Sequence, residues 1–402
     1  MKMNGSLIFA LLMTALASVA MAQDADRAMA ARQLASQVMI VDTHIDVPYR
    51  LEEQWEDVTR ATGHGDFDYV RATEGGLNVP FMSIYTPAES EAEGTSYQLA
   101  NQLIDSVEAL VGRAPDKFMM VKSAEQAEAA RKSGKIGLAM GMENGSPIDG
   151  KLENLSFFHD RGISYITLAH GLSNHISDSS YDENRPWHGL SPFGRDVVAE
   201  MNRLGIMIDT SHVSDEAFFQ VIELSKVPVI ASHSSARFFT PGWERNMSDE
   251  MILALAKNGG VIQVNFGSSF LTQAAREWYE KMDKSRDEFL EVNGFAKEGP
   301  EAEEFQKSYR DDHPFPYASL TDLVANFQHI VQLAGVEHVG IGSDFDGVGD
   351  SLPVGMKDVS DYPALIEEFL KLEYSTQDIQ AIMGGNLLRV WRQVEAYAVA
   401  HG

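Results

Sequence analysis

The feature that most constrains the fold of this chain is a regular alternation of short apolar, β-branched segments with longer amphipathic segments. Eight such strand–helix units predict an α/β fold, namely a (β/α)8 TIM barrel, with a doubly wound open sheet as the alternative. The strand candidates are residues 39–46, 79–86, 136–143, 165–170, 206–212, 229–233, 260–266 and 339–344. Apolar side chains recur with the period of a helix in residues 98–111, 123–132, 192–204 and 215–224.

Two segments interrupt this alternation. Residues 175–190 are polar and follow the fourth predicted strand, so we expect a loop at the rim of the barrel. Residues 272–317 are highly charged and follow the seventh predicted strand. We expect an inserted segment there, which acts either as a lid over the barrel mouth or as a solvent-exposed helical decoration.

The remaining parts of the chain predict helices. Residues 24–37 indicate an alanine-rich helix, and residues 364–397 indicate two helices that close the fold. The sequence contains no internal repeat, no low-complexity tract and no interdomain linker. Residues 23–402 are therefore expected to form a single domain.

The first residues have the pattern of a targeting segment. Lys2 precedes an apolar run at residues 8–20, and Ala20-Met21-Ala22 is a small-x-small cleavage site. We predict a signal peptide over residues 1–22 and export of the mature chain, with the periplasm as the expected location. The apolar run is short and interrupted for a transmembrane helix, which is the alternative. The chain has no cysteine, so neither lipid attachment at cysteine nor disulfides are available to it.

The charge of the chain excludes some classes of partner. Its formal net charge is −27, and it has no run of Lys or Arg. Such a surface repels the phosphates of nucleic acids and anionic lipids, so we expect neither nucleic acid nor a membrane surface as a partner. The sequence also lacks a G-x-S-x-G nucleophile elbow, a phosphate-binding P-loop and a dinucleotide-binding glycine fingerprint.

Potential metal ligands recur at the carboxyl ends of the predicted strands, which is the end where barrels of this kind place their active sites. Strand alternation puts His44 and Asp46 on the same side of the first strand. A single histidine or carboxylate at a strand end is usually structural, but a whole set is costly to bury without a compensating charge. The pattern therefore predicts a divalent metal site. The residues concerned are His44, Asp46, Glu143, His170, His212, His233 and Asp344.

The residue types favour zinc. Imidazole and carboxylate ligands without thiolate suit Zn²⁺, with Mn²⁺, Co²⁺ and Fe²⁺ as alternatives. One catalytic zinc needs three protein ligands, and this set is larger. Two metal ions that share a carboxylate, about 3.5–4 Å apart and bridged by a hydroxide nucleophile, account for the surplus.

Several segments resemble the renal (membrane) dipeptidase family, also called dehydropeptidase I and classified as peptidase family M19, which has an amidohydrolase-like barrel. The resemblance runs from about residue 38 to residue 395 in the order of the family. The segments that carry it are residues 41–48, 141–145, 191–194, 200–205, 209–214, 232–236, 342–347 and 386–390.

The resemblance implies a ligand set for two Zn²⁺ ions. His44 and Asp46 would bind one zinc, and His212 and His233 the other. Glu143 would bridge the two. This assignment agrees with the pattern of strand ends, because these residues lie on predicted strands that converge on one barrel mouth.

The resemblance also implies roles for three further residues. His170 matches the histidine that polarises the scissile carbonyl, and Arg245 matches an arginine that binds the substrate. Asp344 matches the carboxylate that acts as acid and base. Family members are often dimers, so a homodimer is a further expectation.

The chain departs from the family pattern around the substrate pocket. The bridging glutamate is followed by Asn144-Gly145-Ser146, where the family usually has Gly-Gly-His. Gly267 stands where family members can carry a tyrosine, and Pro80 and Met82 replace Gln and Trp. None of these residues is a predicted metal ligand, so the departures bear on substrate preference rather than on hydrolysis.

We therefore predict a binuclear zinc dipeptidase that hydrolyses small dipeptides, including L-Xaa-D-Xaa, by attack of a metal-bridging hydroxide. One alternative is a barrel metallohydrolase that acts on another amide or ester, such as an N-acyl amino acid or a lactam. A non-catalytic binding protein that retains the fold is a third hypothesis.

Overall fold

The computed structural model describes residues 24–297 and 299–401, and the predicted signal peptide of residues 1–22 lies outside the described residues. Within the described part, nine strands are named β1 to β9 in chain order. All of their pairings are parallel. The strands are Ile40–Ile45, Leu77–Tyr85, Phe118–Met120, Ile136–Glu143, Ile163–Thr167, Met207–Asp209, Ile230–Ala231, Val261–Val264 and Val339–Ile341.

Eight of these strands close into a barrel. The order is β2-β1-β9-β8-β7-β6-β5-β4, and an additional pairing between β2 and β4 completes the circle. The closing pair aligns Phe81 with Ala139 and Tyr85 with Glu143. This closure confirms the predicted (β/α)8 barrel and shows that the open doubly wound sheet is wrong.

The short strand β3 was not among the predicted strands. It pairs with the amino-terminal half of β4, with Phe118 opposite Ile136 and Met120 opposite Leu138. The carboxyl-terminal half of β4 pairs with β2 instead. Strand β3 is thus an addition outside the barrel circle, and its three residues are too few to give a periodic signal.

The helices follow the strands in the expected alternation. Helix α1 covers residues 24–37 of the described part. Helices α2 to α9 are Val47–Glu53, Tyr69–Gly75, Glu89–Glu93, Ser96–Arg113, Ala124–Lys132, Glu153–Arg161, Pro192–Leu204 and Asp215–Leu224. Helices α10 to α17 are Asp249–Asn258, Ser268–Leu271, Gln273–Asn293, Pro300–Asp312, Leu320–Ala334, Tyr362–Lys371, Thr376–Gln380 and Asn386–His401. Short 3₁₀ turns occur at Ser146–Ile148, Arg237–Phe239 and Val336–His338, and a π-helical turn at Ala381–Gly385.

Helix α8 shows how local sequence sets these boundaries. The Ser191 side chain accepts a hydrogen bond from the Gly194 amide, and Pro192 occupies the first turn, where its missing N–H costs nothing. The helix ends at Leu204, and the next residue, Gly205, has a φ of 84°. Glycine adopts this left-handed conformation without the steric penalty that a Cβ atom would bring. Prediction and structure agree on both ends of this helix.

Alternate residues of the strands form two apolar layers. Ile40 packs in the outer layer beneath the helices, while its neighbour Val41 belongs to a second cluster inside the barrel. Helix α17 closes the amino-terminal end of the barrel, where the Trp391 ring lies 5.2 Å from the Phe81 ring. The carboxyl-terminal end is left for the functional site.

The charged insertion after β8, the seventh strand of the barrel circle, is a pair of helices, α12 and α13. The pair has its own apolar cluster, in which Trp278 packs against Phe315 at a ring distance of 5.1 Å. The chain end differs from the prediction, because α16 and the π-helical turn lie between the two closing helices α15 and α17. Among the described residues, no helix is long and apolar enough to cross a membrane.

Candidate metal centre and active site

The predicted site residues lie together at the carboxyl ends of the barrel strands. His44 lies within β1 and Glu143 is the last residue of β4. The other metal-competent residues follow the ends of β1, β5, β6, β7 and β9 within a few positions, and Arg245 lies in the loop before α10. The residues that follow the strand ends are Asp46, His170, His212, His233 and Asp344.

Two of these residues lie where the backbone turns sharply out of its strand. His212 has a φ of 68° and Asp344 a φ of 64°, both in the left-handed region that is unfavourable for side chains other than glycine. The Asp344 amide donates a 3.0 Å hydrogen bond to the His44 carbonyl oxygen, which holds the turn in place. Strained backbone of this kind concentrates at functional sites.

Glu143 is at the centre of the cluster. Its Oε1 lies 3.1 Å from His212 Nε2, 3.2 Å from His233 Nε2 and 3.5 Å from His170 Nε2. Its Oε2 lies 3.4 Å from His44 Nε2. Burial raises the pKa of Glu143, but the surrounding histidines outweigh that effect and hold the pKa well below its usual range. The carboxylate is therefore ionised and turns one oxygen to each half of the cluster.

Three groups of residues bring their ligand atoms within 4.8 Å of one another. Each group combines neutral or cationic imidazoles with carboxylates, which is the donor chemistry of a divalent metal site. Two of the groups share His44 and two share Glu143, so the whole cluster is continuous. The groups are His44 with Glu143 and His233, Glu143 with His170 and His212, and His44 with Asp46 and Asp344.

Unsatisfied buried atoms in this cluster fit the binding of a cation. His44 Nε2 is buried and makes no hydrogen bond with the described residues, although three carboxylates approach within 4.0 Å. His212 Nε2 and His233 Nε2 face each other at 2.7 Å. Buried polar groups are rarely left in such arrangements unless a ligand satisfies them. The residues present therefore fit bound divalent metal.

The pKa values of the histidines are shifted in different directions. Burial lowers the pKa of both His212 and His233 well below its usual value, and the nearby cations lower it further. Burial also lowers the pKa of His44, but the Tyr165 hydroxyl and the carboxylates of Glu143 and Asp46 raise it well above the usual value. Neutral imidazole is the form that binds metal. The raised pKa of His44 reflects an excess of negative charge around it.

A second layer of hydrogen bonds fixes two of these histidines. His44 Nδ1 lies 2.9 Å from the Tyr165 hydroxyl, which donates to the Thr43 carbonyl oxygen. His233 Nδ1 lies 2.8 Å from Ser232 Oγ, which donates to a carboxylate oxygen of the fully buried Asp209 at 2.6 Å. Because each hydroxyl donates its own proton elsewhere, it accepts a hydrogen bond from the Nδ1–H group of the histidine. The Nε2 atom of each histidine is then unprotonated and can bind a metal ion in the cluster.

One carboxylate oxygen of Asp344 is hydrogen-bonded to the protein, and the other faces the cluster of potential metal ligands. Its Oδ2 accepts a 2.7 Å hydrogen bond from Asn265 Nδ2, and its Oδ1 lies 4.0 Å from His44 Nε2. Burial, together with the negative charges of Asp46 and Glu143, raises the pKa of Asp344 to about 8. A carboxyl group with such a pKa exchanges protons near neutral pH.

His170 and Arg245 are placed differently with respect to solvent. The His170 side chain is partly exposed, and its ring lies 4.3 Å from the His212 ring. Burial lowers the pKa of His170, which favours the neutral form. The Arg245 side chain is buried and donates to Ser234 Oγ and the His233 carbonyl oxygen, both at 2.7 Å. Its Nη2 also lies 3.0 Å from His212 Nε2.

A cavity of about 540 Å³ opens over this cluster at the barrel mouth. Asp46, Glu143, His170, His212, His233 and Asp344 line it, whereas His44 and Arg245 lie behind its wall. The inserted helix α12 contributes Arg276, Tyr279 and Asp283 to the wall. The insertion thus belongs to the site and is more than a solvent-exposed decoration.

A sequence model of the membrane dipeptidase family, peptidase family M19, matches residues 28–401. The chain belongs to this family. It is 32% identical over 389 residues to an uncharacterized dipeptidase of Schizosaccharomyces pombe, with 92% of this chain and 83% of that protein covered. It is 31% identical over 365 residues to human dipeptidase 3, with 89% of this chain and 65% of that protein covered. The chain is therefore a metallopeptidase of the dipeptidase family, as the sequence resemblance implied.

Solved structures show the same fold. The probable dipeptidase PvdM from Pseudomonas aeruginosa matches this dipeptidase-family chain with a TM-score of 0.82 at 27% identity, over 93% of this chain and 99% of that one. A metallopeptidase from Rhodobacter sphaeroides, liganded with a phosphinate mimic of the dipeptide L-Ala-D-Ala, matches with a TM-score of 0.73 at 23% identity. This second match covers 89% of this chain and 99% of that one, and its likeness is one of fold.

None of the residues that depart from the dipeptidase pattern is among the described residues that line the cavity, so these departures do not change the cavity wall directly. Asn144 is buried with a φ of 76°, and it donates to the Thr86 carbonyl oxygen at 3.0 Å. Met82 packs in the outer apolar layer of the barrel. At Gly267 an added Cβ would lie 3.0 Å from the Phe270 ring, which itself lines the cavity. Phe270 thus occupies space beside the position where relatives can carry tyrosine.

Residues that support the ligands were not identified from the sequence. Ser83 donates a 3.2 Å hydrogen bond to Glu143 Oε2 from the adjacent strand β2. Asp209 and Ser232 lie inside the segments that carry the family resemblance. Their position in those segments was the one feature of the sequence that could have indicated a role at the site. For Tyr165 and Asn265 no signal existed, because their contacts with His44 and Asp344 join distant parts of the chain.

Proposed function

We propose that this chain is a binuclear zinc dipeptidase that hydrolyses dipeptides, including those with a D-residue on the carboxyl side. The observation that carries the proposal is the position of Glu143. One of its oxygens faces His212 and His233, and the other faces His44. A single carboxylate between two sets of nitrogen ligands is suited to bridging two metal ions.

The donor set favours zinc. On one side of Glu143 stand His44 and Asp46, whose closest atoms are 3.4 Å apart, and on the other side stand His212 and His233. Histidine nitrogen and carboxylate oxygen without cysteine are ligands that zinc accepts in catalytic sites. When bound there, two zinc ions would supply Lewis acidity and a water nucleophile activated near neutral pH.

The protein residues supply proton transfer and orientation. Asp344 receives the proton of the attacking water on Oδ1, while Asn265 holds Oδ2, and then passes that proton to the departing amine. His170 reaches the cavity from the rim and donates a hydrogen bond to the carbonyl oxygen as negative charge develops on it. Arg245 lies next to His212 behind the cavity wall, and its fixed positive charge attracts a substrate oxygen that binds on the cavity side of that wall.

The cavity suits a small substrate. Its volume of about 540 Å³ lies within the usual range for sites of small ligands. The Rhodobacter sphaeroides metallopeptidase was solved with a phosphinate mimic of L-Ala-D-Ala. That ligand supports our proposal that the present chain accepts a D-residue on the carboxyl side of a dipeptide.

Substrate screening with metal analysis tests this proposal. The mature protein is assayed on L-Xaa-L-Xaa and L-Xaa-D-Xaa dipeptides, N-acyl amino acids and lactams, and its metal content is measured in parallel. Two zinc ions per chain with dipeptide turnover support the proposal. Turnover of N-acyl amino acids or lactams alone would assign a different metallohydrolase activity, and no turnover with any metal would indicate a binding protein.

We also propose that residues 1–22 direct export, that the mature enzyme is periplasmic without a membrane anchor, and that it forms a homodimer. The supporting observation for export is the small-x-small site at Ala20-Met21-Ala22. Sequencing the amino terminus of the protein from a periplasmic extract tests the cleavage site. Light scattering on the same material tests the dimer.

A further inference from the structure

One face of the inserted helix α12 forms part of the cavity wall. Arg276, Tyr279 and Asp283 line the cavity and are spaced three and four residues apart, so they share one side of the helix. None of them has a role in the proposed chemistry. Their position means that the insertion contributes side chains that can select among substrates.

The Arg276 side chain is fixed by contacts with the protein, while its terminal nitrogens can still bind a ligand. Its Cζ lies 4.5 Å from the centre of the Trp243 ring, and its Nε lies 3.1 Å from Glu280 Oε1 on the next turn. Within the part of the chain that the structure describes, neither of its terminal nitrogens donates a hydrogen bond to the protein. Stacking on an aromatic ring orients a guanidinium while leaving its outer edge able to bind an anion.

Arg50, the other arginine of the cavity wall, is already paired with carboxylates. Arg50 Nη1 lies 3.0 Å from Glu56 Oε2, and its Nε lies 3.1 Å from Asp346 Oδ2. Asp283 shares the helix face with Arg276, but its carboxylate lies 2.9 Å from Arg286 Nη1. Of the two arginines that line the cavity, Arg276 is therefore the one whose terminal nitrogens donate no hydrogen bond to a carboxylate of the described residues.

A row of aromatic rings places Arg276 at a distance from the reacting centre. Arg245 Cζ lies 5.0 Å from the Phe270 ring, and that ring lies 4.9 Å from the Trp243 ring, on which Arg276 stacks. The two guanidinium groups thus stand at opposite ends of one aromatic wall. When the carboxyl end of a dipeptide lies on the Arg245 side of this wall, the side chain of its carboxyl-terminal residue extends along the wall towards Arg276.

We propose that Arg276 binds the side-chain carboxylate of an acidic residue at the carboxyl-terminal position of the dipeptide and so sets a preference for Asp or Glu there. This inference rests on the proposed function. A charge-assisted hydrogen bond to a carboxylate contributes enough to give about a tenfold or larger preference over an uncharged side chain of the same shape.

The test compares L-Ala-L-Glu with L-Ala-L-Gln, which differ in charge but hardly in shape, and repeats the comparison with D-Glu and D-Gln. The wild-type enzyme should favour the Glu dipeptides in kcat/KM by about tenfold or more. Arg276→Gln should remove this preference through a higher KM for the Glu dipeptides, with the Gln dipeptides unchanged. Lys281→Gln is the matched control, because it removes the same charge from an exposed position of α12 and should leave both substrates unaffected.

Charge reversal provides the second variant. Arg276→Glu should disfavour L-Ala-L-Glu further and improve L-Ala-L-Lys relative to the wild type, with an unchanged thermal unfolding midpoint as the check on folding. Equal turnover of Glu and Gln dipeptides by the wild type, or an equal loss on both in Arg276→Gln, would overturn the assignment while leaving the dipeptidase proposal intact. Failure of the wild type to cleave any dipeptide would overturn the proposed function, and this inference with it.

Discussion

The backbone amide of Asp344 donates a 3.0 Å hydrogen bond to the carbonyl oxygen of His44, although 300 residues separate them in the sequence. This bond joins the end of the last barrel strand to the first. It brings the candidate acid and base within 4.0 Å of a candidate metal ligand, measured from Asp344 Oδ1 to His44 Nε2. Closure of the barrel therefore brings the candidate proton-transfer residue, Asp344, next to the candidate metal ligand His44.

The substitution Asp344→Asn should retain metal but lose turnover. The amide keeps the shape and the contact with Asn265, but it cannot accept a proton, so kcat should fall by about 10²- to 10⁴-fold. Steady-state kinetics and metal analysis on the same sample check this. Full activity in the variant would contradict the acid and base assignment, and loss of metal would show that Asp344 is a ligand instead.

The substitution Asp209→Asn should weaken metal binding without touching a ligand. Asp209 accepts a hydrogen bond from Ser232, whose hydroxyl orients His233, and supports of this kind contribute about 10- to 100-fold to metal affinity. Titration with zinc should show the loss, and excess zinc should restore activity. Ser232→Ala should behave alike. Normal zinc affinity in both variants would mean that packing alone orients His233.

Removal of metal should lower the stability of the fold. Asp46, Glu143 and Asp344 are buried, and each approaches His44 Nε2 within 4.0 Å, so the loss of a bound cation leaves three crowded carboxylates with imidazole as their nearest compensating group. A ligand that binds only the folded state raises its stability by mass action. The unfolding midpoint should therefore fall on chelation and recover with added zinc. An unchanged midpoint would argue against metal in this cluster.

The substitution Trp391→Ala tests the closed end of the barrel. Trp391 is 1% exposed and packs against Phe81, so its loss should cost about 3–5 kcal/mol of unfolding free energy. The site lies at the other end, so KM of the folded enzyme should stay unchanged. Trp55→Ala is the control, because Trp55 is 60% exposed and should cost about 1 kcal/mol or less. Similar losses in the two variants would contradict this account of the core.

Much of the fold was predictable because strand ends and helix caps are local signals. The strand over residues 136–143 and the helices over residues 192–204 and 215–224 match the structure at both ends. Several other predicted strands extend past the observed end, because the chain leaves the hydrogen-bonded sheet before it reaches the ligand residue. The predicted strand over residues 229–233, for example, is reduced to Ile230–Ala231 in the structure.

The ligand cluster was more predictable than the substrate pocket for a physical reason. Ligands recur at the same place in successive strands, so their pattern is visible in the sequence. Pocket residues such as Trp243 and Arg276 come from a loop and an inserted helix whose packing on the barrel depends on contacts between distant segments. No spacing in the sequence indicates that these two side chains meet.

The most direct test of the central claim, a two-metal site bridged by Glu143, is the metal content of the mature enzyme measured by elemental analysis. The wild type should contain two zinc ions per chain. Glu143→Ala should retain fewer than two and lose activity, whereas Glu153→Ala, at an exposed position of α7, should match the wild type. Full dipeptide turnover with one metal ion or none per chain, or with two ions retained in Glu143→Ala, would contradict the account.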